Sequence, residues 1–417
     1  MKNSILDTAA RIFSSIAISW MILAGLMSAG ACSSSDGGPG EDPDTIASRT
    51  VLVYIVAENS LSSYVREDVV EMLAGVVNMK AKDRLVLYID DTSLPRIYTL
   101  TRDSSNVAYS SLHPEYTYTE DMNSASAETL SQVMDYVTRY HKAESYGLVF
   151  WSHGSGWVPD DVTRSAMQPK NSFGVDNGYN TNQDTGSKMN ISDMASALSK
   201  YPKTEFIMFD ACFMQTIETA YELRDVTEYI IGSAAEIPGD GAPYNKVCAD
   251  LFADPFDPES LADTYYQHYV PKEQSGGMGV VLSVVRASEL QPFASVVKSV
   301  LDIDSTANTD CSRILRYYQY ASWGFDKPDF YDMKGLMQQC LTDDSYAVWE
   351  PAYQKLVITS LATPTWYSAY DKARHNIDEN QYGGISMYLP LEKYNTMRGK
   401  TIYEGYYDTA WYKAIKR

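Results

Sequence analysis

The sequence predicts an α/β protein with a mostly parallel central sheet and helices on both faces. Short apolar runs rich in β-branched residues recur through the first two thirds of the chain. Residues 50–57 (TVLVYIVA), 84–90 (RLVLYID) and 147–152 (GLVFWS) are the clearest of them. Runs that are apolar throughout are typical of strands buried on both faces. Segments with helical spacing separate these runs, and such an alternation favours parallel strands.

Each predicted element follows from one of these patterns. Six apolar runs predict strands, at residues 50–57, 84–90, 147–152, 206–209, 229–232 and 279–285. Apolar stripes at helical spacing predict helices after the first four strands. These stripes are Val65/Val69/Met72/Leu73/Val76, Leu130/Val133/Met134/Val137, Ile191/Met194/Ala195/Leu198 and Ile217/Ala220/Tyr221.

The pattern changes after about residue 287. An aromatic-rich region follows, and it ends in a strand-like run at residues 384–390 (GISMYLP). We therefore expect a core over residues 49–287 and a C-terminal α+β subdomain over residues 288–417 that packs on it. The chain has 417 residues, of which 45% are apolar, and this is enough for a core of that size.

The beginning of the chain has the character of an export signal. Lys2 and Arg11 flank an apolar run over residues 12–27, which is short for a stable membrane span. A basic start, a short apolar run and small residues at the end are typical of a secretory signal peptide. We expect this signal peptide to cover residues 1–31.

The signal ends in a pattern that resembles a bacterial lipobox. Cys32 follows Ala-Gly-Ala, although Ala29 stands where that pattern usually has Leu. We expect an acylated Cys32, followed over residues 32–48 by a polar, Gly- and Pro-rich tether that cannot fold alone. The protein would then be anchored at a bacterial outer membrane, on its periplasmic or surface face. Ordinary cleavage near Ala31 is the alternative.

Charge and cysteine content exclude several functions. The formal charge is −20, so the surface repels phosphate backbones and nucleic acid is not expected as a partner. We expect a monomer that meets the membrane only through its N-terminal lipid. No spacing of Cys and His matches a zinc site. Cys311 and Cys340 are a candidate disulfide pair, while two buried free thiols fit the sequence equally well.

Two residues with catalytic chemistry follow neighbouring predicted strands. His153 comes directly after the run at residues 147–152, and Cys212 lies 59 residues later, just beyond the run at 206–209. Because carboxyl ends of parallel strands meet at one edge of a sheet, we expect the two side chains to lie together. We also expect Cys212 at a helix N-terminus, which favours a thiolate. A structural histidine and an inert buried cysteine are the alternatives.

Several segments resemble the clostripain family of cysteine peptidases, from about residue 49 to the C-terminus. They are residues 50–61 (TVLVYIVAENSL), 148–157 (LVFWSHGSGW), 209–225 (FDACFMQTIETAYELRD), 231–244 (IGSAAEIPGDGAPY) and 383–390 (GGISMYLP). The resemblance implies a caspase-like three-layer α/β/α sandwich. It also implies an endopeptidase that cleaves after Arg or Lys, with Cys212 as nucleophile and His153 as base. No third catalytic member is evident.

The resemblance implies further roles around this pair. Asp210 matches the family's acidic position two residues before the nucleophile, and Asp240 is a second candidate for binding a basic substrate side chain. The backbone N–H groups of Gly154 and Cys212 would hold the oxyanion. A carboxylate at a helix N-terminus is the alternative for Asp210, and a turn residue is the alternative for Asp240.

Members of this family also tend to process themselves. The polar stretch over residues 159–189 offers Arg164 and Lys170 as cleavage candidates, and cutting there would leave two associated chains. An unprocessed surface loop is the alternative. No cofactor is required, but some relatives need calcium, so calcium stays open. The oxygen ligands available in this stretch are Asp160, Asp161, Asp176 and Asp184, without EF-hand spacing.

Two other functions compete with the peptidase. A catalytically inactive surface binding lipoprotein on a peptidase scaffold is the main one, and the presence of both Cys212 and His153 argues against it. A serine esterase that uses Ser155 is excluded by motif spacing. That chemistry requires Gly two residues before the Ser, and the chain has His153 there.

Overall fold

The computed structural model describes residues 46–157, 173–181, 184, 186–317, 330–369, 372–392 and 404–417. The expected signal peptide and the lipidation site Cys32 lie outside the described residues. So do the cleavage candidates Arg164 and Lys170, and the acids Asp160 and Asp161. In the part of the chain that the structure describes, no helix has both the length and the apolar character to cross a membrane.

The described residues form strands and helices in alternation through the first two thirds of the chain. The strands are β1 (Ala47–Val56), β2 (Arg84–Asp90), β3 (Arg96–Leu100), β4 (Tyr116–Thr117), β5 (Ala143–Trp151), β6 (Phe173–Asp176), β7 (Ser187–Met189), β8 (Thr204–Asp210), β9 (Thr227–Gly232), β10 (Val281–Arg286), β11 (Tyr331–Asp332), β12 (Val357–Ala362), β13 (Thr365–Ser368), β14 (Ala373–Asn376) and β15 (Ser386–Met387). The helices are α1 (Val65–Gly75), α2 (Ala127–Tyr140), α3 (Ile191–Leu198), α4 (Ile217–Leu223), α5 (Tyr244–Leu251), α6 (Pro258–Gln274), α7 (Leu290–Val300), α8 (Met333–Cys340), α9 (Asp343–Leu356) and α10 (Ala410–Ile415).

One large sheet organises these elements. Its nine strands have the order β12-β10-β9-β8-β5-β1-β2-β3-β4. The five strands in its centre, from β9 to β2, are mutually parallel. The strands at both edges are antiparallel to their neighbours. The α/β class and the parallel centre predicted from the sequence are confirmed, whereas β3, β4 and β12 had no apolar run long enough to reveal them.

Each face of the sheet carries its own apolar core. Val51, Val53 and Ile55 of β1 pack with α1, α5 and α6 on one face. Leu52 and Tyr54 of the same strand pack with α2, α3, α4 and α7 on the other. Full burial of one such side chain stabilises the fold by roughly 1.5–3 kcal/mol relative to exposure. Burial on both faces explains why the strands have no polar alternation and produces the three-layer sandwich.

The aromatic-rich C-terminal region continues this architecture. Its strand β12 pairs with β10 at the sheet edge, and Trp411 of α10 stacks on Phe293 of α7 with ring centroids 6.1 Å apart. Only Ser386–Met387 of the expected late strand is extended, and it pairs with β11. Cys311 and Cys340 are not joined in a disulfide within the described residues, and of the two only Cys311 is buried.

Candidate active site

The two residues expected to carry the chemistry lie at the same edge of the central sheet. Strands β5 and β8 are parallel neighbours, and Trp151 lies opposite Asp210 at their carboxyl ends. His153 and Cys212 each follow two residues beyond that pair. The next backbone segments also touch, because a side-chain carbon on Gly154 would lie 2.5 Å from the carbonyl oxygen of Cys212. The register of two buried strands therefore brings these segments together.

A serine and a carboxylate hold the imidazole of His153. Its Nε2 lies 3.0 Å from Oγ of Ser60 and 3.3 Å from Oδ1 of Asp184. Ser60 also donates twice to Asp184, from its backbone N–H at 3.0 Å and its hydroxyl at 2.9 Å. The carbonyl of His153 accepts a hydrogen bond from Gly174 at 3.0 Å. The ring is oriented by these contacts, and its 31% exposure leaves it accessible to a substrate.

Asp184 determines which nitrogen of His153 is free to act as a base. Burial raises the pKa of Asp184, but hydrogen bonds from His153 and Ser60 outweigh burial and lower that pKa to about 2. A carboxylate therefore faces Nε2, and a hydrogen on Nε2 leaves Nδ1 as the proton acceptor. The sequence analysis identified neither Ser60 nor Asp184 as a partner of the histidine. The position of Ser60 just after the carboxyl end of β1 was the one sequence feature that could have indicated its place near the site.

The thiol of Cys212 lies among backbone groups. Its Sγ accepts a hydrogen bond from the N–H of Ile237 at 3.4 Å and lies 3.9 Å from the carbonyl oxygen of the same residue. Burial, followed by the negative charge of Glu236, raises the pKa of this thiol to about 12. Within the described residues, Cys212 and His153 share no hydrogen bond. The resting sulfur therefore keeps its proton, and transfer to the imidazole requires a side-chain rotation or a bridging water.

The expectation that Cys212 begins a helix is wrong. Helix α4 begins at Ile217, and its cap is Thr216. Between Cys212 and that cap the chain turns through Phe213, whose φ is +62°. The N–H of Phe213 donates to the carbonyl of Ala235 at 3.0 Å, so this turn is attached to the segment after β9. Helix dipoles act mainly within the first turn, so α4 does not favour the thiolate.

Gly154 lies where the chain has no room for a side chain. A carbon at its Cβ position would lie 2.5 Å from the carbonyl oxygen of Cys212 and 2.8 Å from Sδ of Met214. Any substitution must therefore push the His153 segment away from the Cys212 segment. The N–H of Ile237 is the backbone donor that the structure shows at the sulfur. The oxyanion role of Gly154 stays a prediction.

The two acids expected to bind a basic substrate side chain have different surroundings. Asp210 is 3% exposed, and its carboxylate accepts hydrogen bonds from the N–H of Ala242 at 3.0 Å and the hydroxyl of Tyr244 at 2.9 Å. Burial raises the pKa of Asp210 despite these bonds. Asp240 is exposed and pairs with Lys272 at 3.2 Å. Asp210 is therefore enclosed by its hydrogen-bond partners whereas Asp240 is exposed, and the substrate-binding roles of both stay predictions.

A third acid near the thiol was not singled out from the sequence. Glu236 is 7% exposed, and its carboxylate accepts a hydrogen bond from the N–H of Ala369 at 2.9 Å. It directly precedes Ile237, the residue bonded to the sulfur, and its charge contributes to the raised pKa of Cys212. The spacing of one acid in a loop does not reveal its distance from a sulfur, so only the structure identifies Glu236.

Of the four acids named from the sequence as possible cation ligands, the structure describes Asp176 and Asp184, and these two have different partners. Asp184 is engaged with His153. Asp176 instead lies in a buried trio with Glu58 and Asp90, in which one carboxylate oxygen from each residue lies within 4.8 Å of the others. All-oxygen sites of this kind suit hard cations such as Ca²⁺ or Mg²⁺.

A cysteine and a histidine on adjacent segments at the edge of a parallel sheet are the groups that a cysteine-dependent hydrolase would use. The family model described as the clostripain family matches residues 53–417 of the chain. The chain therefore belongs to the clostripain family of cysteine endopeptidases.

Individual relatives agree with this assignment. Clostripain from Hathewaya histolytica is 23% identical over 222 residues, which are 48% of this chain and 41% of that protein. The chain thus spans less than half the length of this curated relative.

Two crystal structures are similar over most of their length. An inactive zymogen C11 protease from Parabacteroides distasonis is 30% identical with a TM-score of 0.73, covering 89% of this chain and 99% of that one. A secreted C11 cysteine protease from Bacteroides thetaiotaomicron, in complex with an irreversible peptide inhibitor, is 32% identical with a TM-score of 0.72, covering 88% and 99%. The caspase-like fold is confirmed by these similarities.

Proposed function

We propose that the chain cleaves peptide bonds after Arg or Lys, with Cys212 as nucleophile and His153 as general acid and base. The observation that carries the proposal is the shared position of these residues beyond the Trp151–Asp210 pair of β5 and β8. A sulfur and an accessible imidazole on adjacent segments are what thiol-dependent acyl transfer requires. The bound peptide inhibitor of the Bacteroides thetaiotaomicron relative supports a peptide as substrate.

The acylation step uses the arrangement around His153. As the sulfur of Cys212 attacks the scissile carbonyl carbon, its proton passes to Nδ1 of His153. The charge that develops on the carbonyl oxygen is stabilised by the N–H groups of Gly154 and Cys212. The C–N bond then breaks, and the imidazolium returns the proton to the leaving amine. Asp184 stabilises the positive charge that the ring carries between these two transfers.

Deacylation repeats the same proton movements with water. His153 accepts a proton from a water molecule while the water oxygen attacks the thioester carbonyl. The C–S bond breaks, the acid product leaves, and the proton returns to the sulfur of Cys212. Because the pKa of the thiol is raised to about 12, the protonated sulfur is the stable resting form. The nucleophile is therefore generated only when His153 takes the proton during turnover.

Specificity for a basic residue would come from the acids beside the thiol. Asp240 and Glu236 carry negative charge on the loop that contacts the sulfur, and Asp210 lies beneath that loop. An arginine or lysine side chain paired with such carboxylates gains charge-assisted hydrogen bonds. In the resting structure Lys272 forms an ion pair with Asp240. A basic substrate side chain that binds Asp240 would therefore have to displace Lys272.

Export and self-processing belong to the same proposal. The Bacteroides thetaiotaomicron relative is described as secreted, which supports export through the signal peptide over residues 1–31. The lipid anchor at Cys32 rests on the resemblance of the preceding residues to a lipobox. The Parabacteroides distasonis relative is described as an inactive zymogen, which supports activation by a cut in the polar stretch. Arg164 and Lys170 are the candidate positions, since a basic residue must precede the cut.

The test compares hydrolysis of Arg, Lys and Asp reporter peptides by the wild type and Cys212→Ala. We expect the variant to lose at least about 1,000-fold in kcat/KM on the basic peptides, since the covalent step disappears. It should also remain a single chain. Cys340→Ala makes the same chemical change at a distant thiol and should retain activity. Hydrolysis that survives in Cys212→Ala would contradict the proposal.

A non-catalytic binding protein on this scaffold is the second candidate. One observation favours it: the thiol of Cys212 accepts a hydrogen bond from the N–H of Ile237 and has a raised pKa. That candidate predicts a folded wild type that is inert toward all three peptides and toward an arginyl chloromethyl ketone. Covalent capture of the ketone excludes it, because alkylation requires the sulfur to become a nucleophile.

A further inference from the structure

We propose that Lys272 is a positioning residue that holds the loop over residues 237–242 against the sulfur of Cys212, and that a basic substrate side chain releases this loop when it displaces Lys272 from Asp240. Binding of the correct substrate would then expose the nucleophile at the moment when it is needed. The inference rests on the proposed function in one respect, since it takes Asp240 as the carboxylate that binds the basic side chain.

The 237–242 loop begins at the sulfur. The N–H of Ile237 donates a hydrogen bond to Sγ of Cys212 at 3.4 Å, and the carbonyl oxygen of Ile237 lies 3.9 Å from the same atom. Burial is the largest cause of the raised pKa of this thiol, followed by the charge of Glu236, and the N–H of Ile237 opposes them with a smaller effect. Movement of Ile237 away from the sulfur would therefore expose the thiol to solvent and make the thiolate easier to form.

Helix α6 holds the other end of the 237–242 loop through two side chains. Nζ of Lys272 lies 3.2 Å from Oδ2 of Asp240, and the hydroxyl of Tyr269 donates to the carbonyl of Gly241 at 2.7 Å. Nζ of Lys272 also lies 4.8 Å from the centre of the Tyr269 ring, within the range of a cation–π contact. The two side chains are thus part of one contact between α6 and the loop, and Lys272 is its charged member.

Hydrogen bonds of the loop connect its two ends. The N–H of Gly241 donates to the carbonyl of Pro238 at 3.0 Å, so the loop contains a tight turn. The N–H of Ala242 donates to both carboxylate oxygens of the buried Asp210, at 3.1 and 3.0 Å. Asp210 therefore anchors the loop at its last residue, and the turn before it is the part that can move away from the sulfur.

The contact between Lys272 and Asp240 is weak enough for a substrate to replace. The two side chains are 37% and 64% exposed, and exposed ion pairs contribute little to stability. An arginine or lysine of a substrate would offer Asp240 an equivalent charge-assisted hydrogen bond. Lys272 lies in the last turn of α6, where the helix dipole favours a positive charge, so its ammonium has a favourable position after it leaves Asp240.

The test measures alkylation of Cys212 by iodoacetamide in the full chain, because this neutral reagent needs no peptide bond. The sulfur bonds to the methylene carbon, iodide leaves, and the thiol proton passes to the buffer. Rates are measured by mass spectrometry with n-butylguanidine, which carries the charge of an arginine side chain, and with n-butylurea, its neutral analogue. We expect n-butylguanidine, but not n-butylurea, to raise the rate at Cys212 by up to about 5-fold, which is the effect of losing an exposed ion pair, and to leave the rate at Cys340 unchanged. An unchanged or lower rate at Cys212 overturns the proposal.

Variants of the ion pair separate the proposal from a simple effect of charge. Lys272→Met and Asp240→Asn each break the pair, so both should be alkylated faster than the wild type without n-butylguanidine and should no longer respond to it. Charge alone predicts opposite changes, because loss of a cation disfavours the thiolate and loss of an anion favours it. Lys246→Met removes a lysine whose Nζ lies 3.3 Å from Nδ1 of His268, and it should behave like the wild type. A rate in Lys272→Met that is equal to or lower than that of the wild type contradicts the proposal.

Failure of this inference is distinguishable from failure of the proposed function. A wild type that hydrolyses arginine reporter peptides but shows no effect of n-butylguanidine on Cys212 would contradict the role of Lys272 and leave the peptidase assignment standing. A wild type in which n-butylguanidine accelerates alkylation without any hydrolysis of basic peptides would contradict the peptidase assignment and leave the link between Asp240 and the thiol standing.

Discussion

The two halves of the candidate site differ in how far the resting protein prepares them. On the side of β5, the imidazole of His153 is already oriented by Ser60 and by Asp184, whose pKa is lowered to about 2. On the side of β8, burial raises the pKa of the Cys212 thiol to about 12, and backbone groups are its hydrogen-bond partners. The imidazole of His153 is thus oriented in the resting protein, whereas the thiol of Cys212 keeps its proton, and under the proposed mechanism the base is prepared before the nucleophile.

This difference assigns different tasks to the two halves. A buried protonated thiol is protected from alkylation and oxidation, because the thiolate is the reactive form. An oriented imidazole can take the proton as soon as substrate brings the two groups into contact. Variants on the histidine side should therefore reduce turnover in proportion to how strongly they disturb this contact.

The largest effect is expected where the two halves touch. Gly154→Ala places a carbon 2.5 Å from the carbonyl oxygen of Cys212, so the two segments must separate. We expect kcat/KM on an Arg reporter to fall by about 100-fold, since misplacement of about 1 Å has that effect. Ser155→Ala, one residue further, should keep most of the activity. Full activity in Gly154→Ala would show that the segments need not be in contact.

A smaller effect is expected from the partner of the imidazole. Asp184→Asn keeps the shape but removes the charge that stabilises the protonated ring, so kcat should fall about 10- to 100-fold with KM almost unchanged. Asp184→Glu should restore part of the loss. Asp193→Asn, the same change at an exposed position of α3, is the control. An equal effect in both Asn variants would indicate that Asp184 has only a general charge effect.

The smallest effect is expected at Asp240, which is exposed and is proposed to bind a basic substrate side chain. Asp240→Asn should raise KM for Arg and Lys reporters by up to about 5-fold, because exposed ion pairs contribute no more than about 1 kcal/mol. The variant also frees Lys272, whose charge would then repel a basic substrate. Lys272→Met in the wild-type background should lower KM instead. Unchanged KM values in both variants would remove Asp240 from the substrate site.

The sheet and the location of the site were predictable because both depend on local patterns. The parallel strands are buried on both faces, so residues 50–57, 84–90 and 147–152 show as apolar runs. His153 follows the run at 147–152 directly, Cys212 lies three residues beyond the end of the run at 206–209, and the rule for parallel sheets places both at one edge. Their distance of 59 residues in sequence is no obstacle, since the register of β5 and β8 aligns them.

The contacts that tune the site were not predictable in the same way. Asp184 reaches His153 from a polar stretch that has no apolar pattern, and Glu236 reaches the thiol from a loop. The helix expected at Cys212 failed for a local reason, because Phe213 adopts a positive φ and delays α4 until Ile217. Such features depend on backbone turns and tertiary contacts, for which spacing in the sequence carries no signal.

Covalent labelling of the intact protein tests most directly whether Cys212 and His153 act together. The wild type, His153→Ala and the matched control His113→Ala are incubated with an arginyl chloromethyl ketone, and the modified residue is located by mass spectrometry. We expect rapid modification of Cys212 alone in the wild type and in His113→Ala, and modification slower by at least about 100-fold in His153→Ala. Equal labelling of Cys212 in all three proteins, or labelling at another residue, would contradict the account.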